Sequence, residues 1–267
     1  MYLLIDIGGT NTRVAVAKDS GSFGDAESFS TLQNFEDGIK AVTEVARSLL
    51  KEKKLEGVVV GAAGPLDSSR KKLLNAPNLP GWVNRPIVDE ISSNLNAKTV
   101  LFNDTDLVAL GEANFGAGRD HRIVAYLTFS TGVGGSRVVD GKLDEFTLGF
   151  EPGHQIIDMK NSLEDLAGGA SLLRKHGINP EKIEDNKVWE NEVKMVALGV
   201  HNTIVYWSPD VVVIGGSLME KVSVEDVKGE VRRLLKIFPT LPEVKKGELG
   251  HSGGLWGALS IIESQFT

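Results

Sequence analysis

The opening stretch, Leu4-Ile5-Asp6-Ile7-Gly8-Gly9-Thr10-Asn11-Thr12-Arg13, carries an apolar run into an acid and two glycines. A second apolar run, Val14 to Ala17, follows, so the stretch reads as strand, tight glycine turn, strand. About 120 residues later the pattern returns: a strand over Arg122 to Phe129, then Ser130-Thr131-Gly132-Val133-Gly134-Gly135, then a strand over Ser136 to Val139. A repeat of this kind constrains the chain toward two similar domains facing one another, each offering a glycine turn to the same ligand. The plainer reading, that such units are common and serve only their own hairpins, stands beside it. Glycine at a turn lets backbone N–H groups approach a ligand with no Cβ in the way. In the first turn Thr10, Asn11 and Thr12 add polar donors, and Asp6 adds a carboxylate able to face a hydrated metal ion. The turn is either a simple hairpin or a phosphate cradle with an acid for magnesium.

The rest of the chain alternates strands with helices, which sets the fold class as α/β. Strands are expected at Glu27 to Thr31, Leu55 to Ala63, Lys72 to Ala76, Thr99 to Phe102 and Val211 to Ile214. Helices are expected at Phe35 to Lys53, Pro86 to Leu95, Leu107 to Phe115, Lys187 to Trp207, Val224 to Ile237 and Gly254 to Ile262, and over Asn161 to Lys175 with a break at Gly168-Gly169. The boundary between domains is placed after the Asn103–Asp106 turn, giving residues 1–106 and 107–252. With 41% hydrophobic and 24% charged residues, the chain has the mix of a globular protein able to bury a core. A net charge of −7 offers no footprint for nucleic acid, and the absence of cysteine excludes disulfides and thiolate metal sites and fits a reducing compartment. No cleaved leader and no membrane span are expected.

Two nucleotide motifs are missing. No glycine-rich turn ends in the lysine and hydroxyl of a P-loop, and the glycines at 132–135 lead into a strand where a dinucleotide fingerprint needs a helix. What remains is three glycine turns, at 8–9, 132–135 and 215–216, each after an apolar strand. Two of the three could hold phosphates, and the remaining one could pass close to a nucleoside. Asp104 stands at a strand-to-helix junction, where open α/β sheets bind ligands. There it is either a helix cap, a role Asp106 could also fill, or an acceptor for a substrate hydroxyl proton. Glu151-Pro152-Gly153-His154 offers an acid and an imidazole from the ends of a held loop, and Glu164 follows. Carboxylates, an amide and an imidazole suit a polyol, whose hydroxyls both donate and accept.

Taken in order, these residues resemble the sugar kinases of the ROK (repressor, open reading frame, kinase) family, within the hexokinase–actin–Hsp70 superfamily. Asp6 to Arg13 looks like the first phosphate motif and Thr131 to Gly135 like the second. Gly61 to Asp67, with Gly64, and Asn75 to Trp82, with Asn78, look like the sugar-side loops. Asn103-Asp104 looks like the sugar-binding asparagine and catalytic aspartate. Glu151, His154 and Glu164 match further sugar ligands, and Gly215-Gly216 matches the adenosine motif. The resemblance implies two ribonuclease-H-like domains of the actin-like ATPase fold around a central cleft, with the C-terminal helix, 253–267, packing back on the first.

It further implies a cytoplasmic ATP-dependent hexose kinase, glucose being the first choice of sugar. Asp104 would act as base and Asp6 on Mg2+ through water. Gly8, Gly9, Thr10, Asn11, Thr131 and Gly132 would take the phosphates. Fructose, mannose or an N-acetylhexosamine as acceptor, polyphosphate as donor, and a non-catalytic sugar sensor are the rival readings. Members are often dimeric, so a homodimer is an expectation by analogy. Three departures stand out. Gln155 to Ser162 replaces the family's cysteine-rich zinc loop, which implies no zinc and a loop held by packing, leaving the orientation of His154 open. Asp106 stands where an asparagine is usual, and, with the first motif starting at residue 6, the helix-turn-helix of the family's repressors is not expected.

Overall fold

The computed structural model describes residues 1–51 and 53–266. They divide into two compact units: residues 1–111, 146–149 and 251–267 form the first, and residues 112–145 and 150–250 the second.

The first unit contains β1 (Tyr2–Ile7), β2 (Asn11–Ala17), β3 (Glu27–Ser30), α1 (Phe35–Leu50), β4 (Gly57–Ala62), α2 (Ile87–Leu95), β5 (Thr99–Asn103) and the start of α3 (Asp104–Asn114). The last two helices, α8 (Gly253–Ser260) and α9 (Ile262–Phe266), belong to it as well. Its sheet runs β3-β2-β1-β4-β5; β2 and β3 are antiparallel additions, while β4 and β5 run parallel to β1. The central strands β1 and β4 are continuous apolar runs because both of their faces are covered. Leu3, Ile5, Ile7, Val58, Val60 and Ala62 share a core with Ile39 and Val42 of α1 and Ile87 and Ile91 of α2. Alternation sends Asp6, Gly57 and Gly61 to the opposite face. There a Cβ on Gly57 would run into the Phe266 ring of α9, and one on Gly61 into Leu107 of α3.

The second unit holds β6 (Ile123–Phe129), β7 (Val133–Val139), β8 (Lys142–Leu143), α4 (Leu163–Ala167), α5 (Gly169–His176), α6 (Asn186–Trp207), β9 (Val211–Gly215), α7 (Val224–Leu234) and β10 (Glu243–Lys246). Its sheet order is β10-β9-β6-β7-β8, with β6 antiparallel to β7 and parallel to β9. Read from its own first strand, this is the topology of the first unit over again. The repeated glycine hairpin in the sequence is therefore the visible part of a repeated architecture. Val196, Ala197, Val200 and Ile204 of α6 are buried against Leu127, Phe129, Val212 and Ile214.

Several bounds move. Residues Lys72 to Ala76 are not a strand: Leu73 is buried but makes only single bridges, to Leu66 and Val83. Helix α1 stops at Leu50, since Lys51 turns left-handed (φ 45°). Strand β7 begins at Val133, so the second turn is only Ser130–Gly132. Gly135 lies inside the strand because a Cβ there would stand 2.8 Å from Pro152 Cγ. Helix α3 starts at Asp104 rather than Leu107, for a reason found in Asn103. Among the described residues no helix is long and apolar enough to cross a membrane.

Candidate functional site

The two glycine turns have the same electrical polarity. In the first, every carbonyl is tied inward: Gly8 O accepts from Thr31 Oγ1 (2.8 Å), Gly9 O from Gln33 Nε2 (3.4 Å) and Thr10 O from Thr31 N (2.8 Å). The N–H groups of Gly9 and Thr10 bond to nothing among the described residues. In the second, Ser130 O accepts from Gly169 N (2.7 Å), Thr131 O from Ala170 N (2.9 Å) and Gly132 O from Ser130 N (2.9 Å). There the N–H groups of Thr131 and Gly132 have no partner among the described residues. Carbonyls tied in and amides turned out make an anion-binding concavity. Phosphate oxygens are acceptors only, so they fit such a turn. The third glycine pair closes on the second turn: Gly216 has φ 96°, and a Cβ there would overlap the backbone of Phe129. Asn11, by contrast, is the first residue of β2.

In the first unit, Asp6, Gly64, Asn103 and Asp104 gather at the C-terminal ends of β1, β4 and β5. Asn103 is the helix cap: its Oδ1 accepts from Thr105 N (2.8 Å) and Asp106 N (3.3 Å). Its Nδ2 donates to Gly64 O at 2.9 Å. One amide hydrogen of Asn103 is left for a ligand. Gly64 has φ 134°, and a Cβ there would overlap Asn75 O. Asn103 supplies most of the cap, and Asp104 shares one of its N–H groups: Asp104 Oδ1 also takes the Thr105 N–H at 2.8 Å. Burial raises the Asp104 carboxyl above the usual carboxylate range, against the lowering effect of the Thr105 backbone and hydroxyl.

Asp6 is raised to about 7, first by burial and then by the charge of Asp104, while Arg13 pulls the other way. Arg13 Nη1 stands 3.5 Å from Asp6 Oδ2. A glycine admits the carboxylate: a Cβ on Gly254 would lie 2.9 Å from Asp6 Cγ. Mg2+ carried on phosphates and water needs one nearby carboxylate rather than a protein cage, and Asp6 suits that duty. Asn78 abuts the first turn, where a Cβ on Gly9 would be 2.6 Å from Asn78 Cβ, and Gln33 Nε2 reaches both Gly9 O and Asn78 O.

In the second unit, Pro152–His154 is a single 3-10 turn. Pro152 and Gly153 are buried, and Gly153 lies against the Val133 carbonyl, while Glu151 and His154 are exposed at the ends. The loop after His154 is held both by packing, through Ile157 against the core, and by hydrogen bonds. Ile156 and Met159 are 72% and 98% exposed. Gln155 Nε2 donates to Pro152 O (2.8 Å) and Gln155 Oε1 accepts from Asn202 Nδ2 of α6 (2.6 Å). Asp158 accepts from the N–H groups of Lys160 and Asn161. Glu164 accepts from Val133 N at 2.8 Å, which brings it against the second turn.

Sequence reasoning missed Thr31, Gln33, Gly254 and Asn202. Each reaches the site through a long-range hydrogen bond or close approach, and none carries a local motif.

The ROK family matches residues 2–265. The glucokinase of Thermotoga maritima is 26% identical over 98% of this chain and 96% of its own length. The fructokinase of Streptococcus mutans is 27% identical over 92% of this chain and 89% of its own. A solved ROK family glucokinase from Streptomyces griseus, in complex with glucose and AMPPNP, is 22% identical and covers 98% of this chain and 99% of its own, with a TM-score of 0.82. Matched along nearly its whole length and built on the actin-like ATPase fold, the chain belongs to the ROK family.

Proposed function

We propose that this protein is an ATP-dependent hexose kinase that transfers the γ-phosphate to the 6-hydroxyl of a hexose, with glucose the preferred acceptor. The observation that carries the reading is the matched pair of turns, each with its carbonyls tied inward and two amides turned out. Gly9 and Thr10 in one unit, and Thr131 and Gly132 in the other, donate to phosphate oxygens and spread charge on the transferring group, while the Gly8 N–H, bonded to Asn11 O at 3.0 Å, closes the hairpin. Gly215 and Gly216 give the adenosine a path past the backbone.

Asp104 accepts the 6-hydroxyl proton. The pKa values of carboxylate and hydroxyl are far apart, so Asp104 first orients the hydroxyl and takes the proton late. Asn103, through its remaining amide hydrogen, and Glu151, His154 and Glu164 bind the other hydroxyls. Mg2+ would neutralise the phosphates, with Asp6 facing it through water.

The glucokinase name of one relative favours glucose, and the fructokinase name of another keeps fructose as the second reading. The test is ADP release, by a coupled assay, over glucose, fructose, mannose, N-acetylmannosamine and N-acetylglucosamine. Glucose is expected to give the highest kcat/KM. A higher value for another sugar reassigns the acceptor. Sugar binding with no sugar-dependent ADP release makes the protein a sensor and defeats the kinase reading.

A further inference from the structure

Helix α4 is placed firmly. Ser162 and Asp165 form a reciprocal capping box at its start, and Leu163 is fully buried. Glu164, between them, uses one oxygen for structure: Oε2 accepts the Val133 N–H at 2.8 Å. Gly132 makes room for this, because a Cβ on it would fall on that same oxygen. The other oxygen, Oε1, bonds to no described residue. The α4–α5 junction grips the turn from its other side too, through Gly169 N to Ser130 O and Ala170 N to Thr131 O. One short segment thus fixes the carbonyls of the phosphate turn and also carries the carboxylate.

We propose that Glu164 is a bridging residue: Oε2 positions the Ser130–Gly132 phosphate turn while Oε1 accepts a sugar hydroxyl, so that sugar and nucleotide binding reinforce one another through this side chain. The proposal rests on the hexose-kinase reading for its sugar half. A hydroxyl on Oε1 fixes the carboxylate's orientation and lowers the freedom the turn loses when it closes on phosphate. Coupling of this kind is reciprocal, so each ligand tightens the other by the same factor. It gives Glu164 a positioning role toward the nucleotide that a plain sugar ligand lacks.

Titration calorimetry with Mg·AMPPNP and glucose, each with and without the other, tests it. In the wild type each ligand is expected to tighten the other, by about fivefold or more. Glu164→Ala should weaken Mg·AMPPNP binding without sugar by about tenfold and bring the coupling factor to about one. Glu164→Gln separates the halves: its amide oxygen can take the Val133 N–H, so sugar-free nucleotide affinity returns toward wild type while glucose affinity stays weak. Gly132→Ala, which displaces the carboxylate, should weaken glucose binding too. Unchanged sugar-free nucleotide affinity in Glu164→Ala, or an unchanged coupling factor, overturns the proposal. Glucose that fails to bind the wild type defeats the hexose reading and the bridge with it. The sugar-free nucleotide arm then still reports whether Glu164 holds the turn.

Discussion

Asp6→Asn should make the fold more stable and the enzyme worse. Asp6 is a nearly buried carboxylate, its side chain 12% exposed, with one guanidinium at 3.5 Å for a partner. Its folded-state pKa of about 7 lies above the ordinary 3.8. Below about pH 3.8 both folded and unfolded chains hold the proton and Asp6 contributes nothing. As pH rises toward 7 the unfolded chain ionises freely while the folded chain resists, so stability falls across that window. The difference sets a ceiling of about 4 kcal/mol at pH 8. Asparagine keeps the shape without the charge. In metal-free buffer with EDTA, thermal melts should show little difference between Asp6→Asn and wild type at pH 4. By pH 8 the variant should melt higher, by an amount on the order of 10 °C at about 2–4 °C per kcal/mol. Its turnover should fall by about a hundredfold, from the lost Mg-side carboxylate. Equal melting temperatures at pH 8 would show that the carboxylate is not desolvated and refute the reasoning.

The other predictions probe the supports. Glu192, fully buried with neither oxygen hydrogen-bonded among the described residues, is raised to about 7 by burial, with Lys175 pulling it down. Glu192→Gln should likewise stabilise the protein at pH 8, by up to about 3 kcal/mol, and not below pH 4.5, but with turnover unchanged; a loss of turnover would give Glu192 a role this account lacks. Gly254→Ala places a methyl 2.9 Å from Asp6 Cγ and should lower both melting temperature and kcat. A fully active, equally stable variant would show that α8 yields freely. Asn202→Ala cuts the tie to Gln155 and should raise the sugar KM about tenfold with kcat and the ATP KM little changed. An unmoved sugar KM would show that the Glu151–His154 turn holds itself.

The chain's two sheets were legible because alternation, glycine hairpins and buried apolar runs are local signals. So was the position of Asp104, at a strand-to-helix junction crowded with side chains. What sequence could not assign was the division of labour in that crowd: the cap belongs mostly to Asn103, and only the bonds to Thr105 and Asp106 show it. Leu73 looked like a strand residue because buried loops also alternate; it has bridges but no ladder. Gly132 read as a glycine for phosphate approach, yet its bare Cα also seats the Glu164 carboxylate, which arrives from another helix. Thr31 and Gln33 tie down the first turn from 23 and 24 residues away. Such partners come together only once β2 and β3 have paired.

The most direct test is sugar-dependent ADP release by wild type and Asp104→Asn, with Mg·AMPPNP binding measured on both. The account predicts glucose-dependent release from the wild type, a fall of roughly 10²–10⁴-fold in the variant, and nucleotide affinity within about twofold. A wild type that releases no ADP in response to any hexose, or a variant that keeps near-normal turnover, would contradict it.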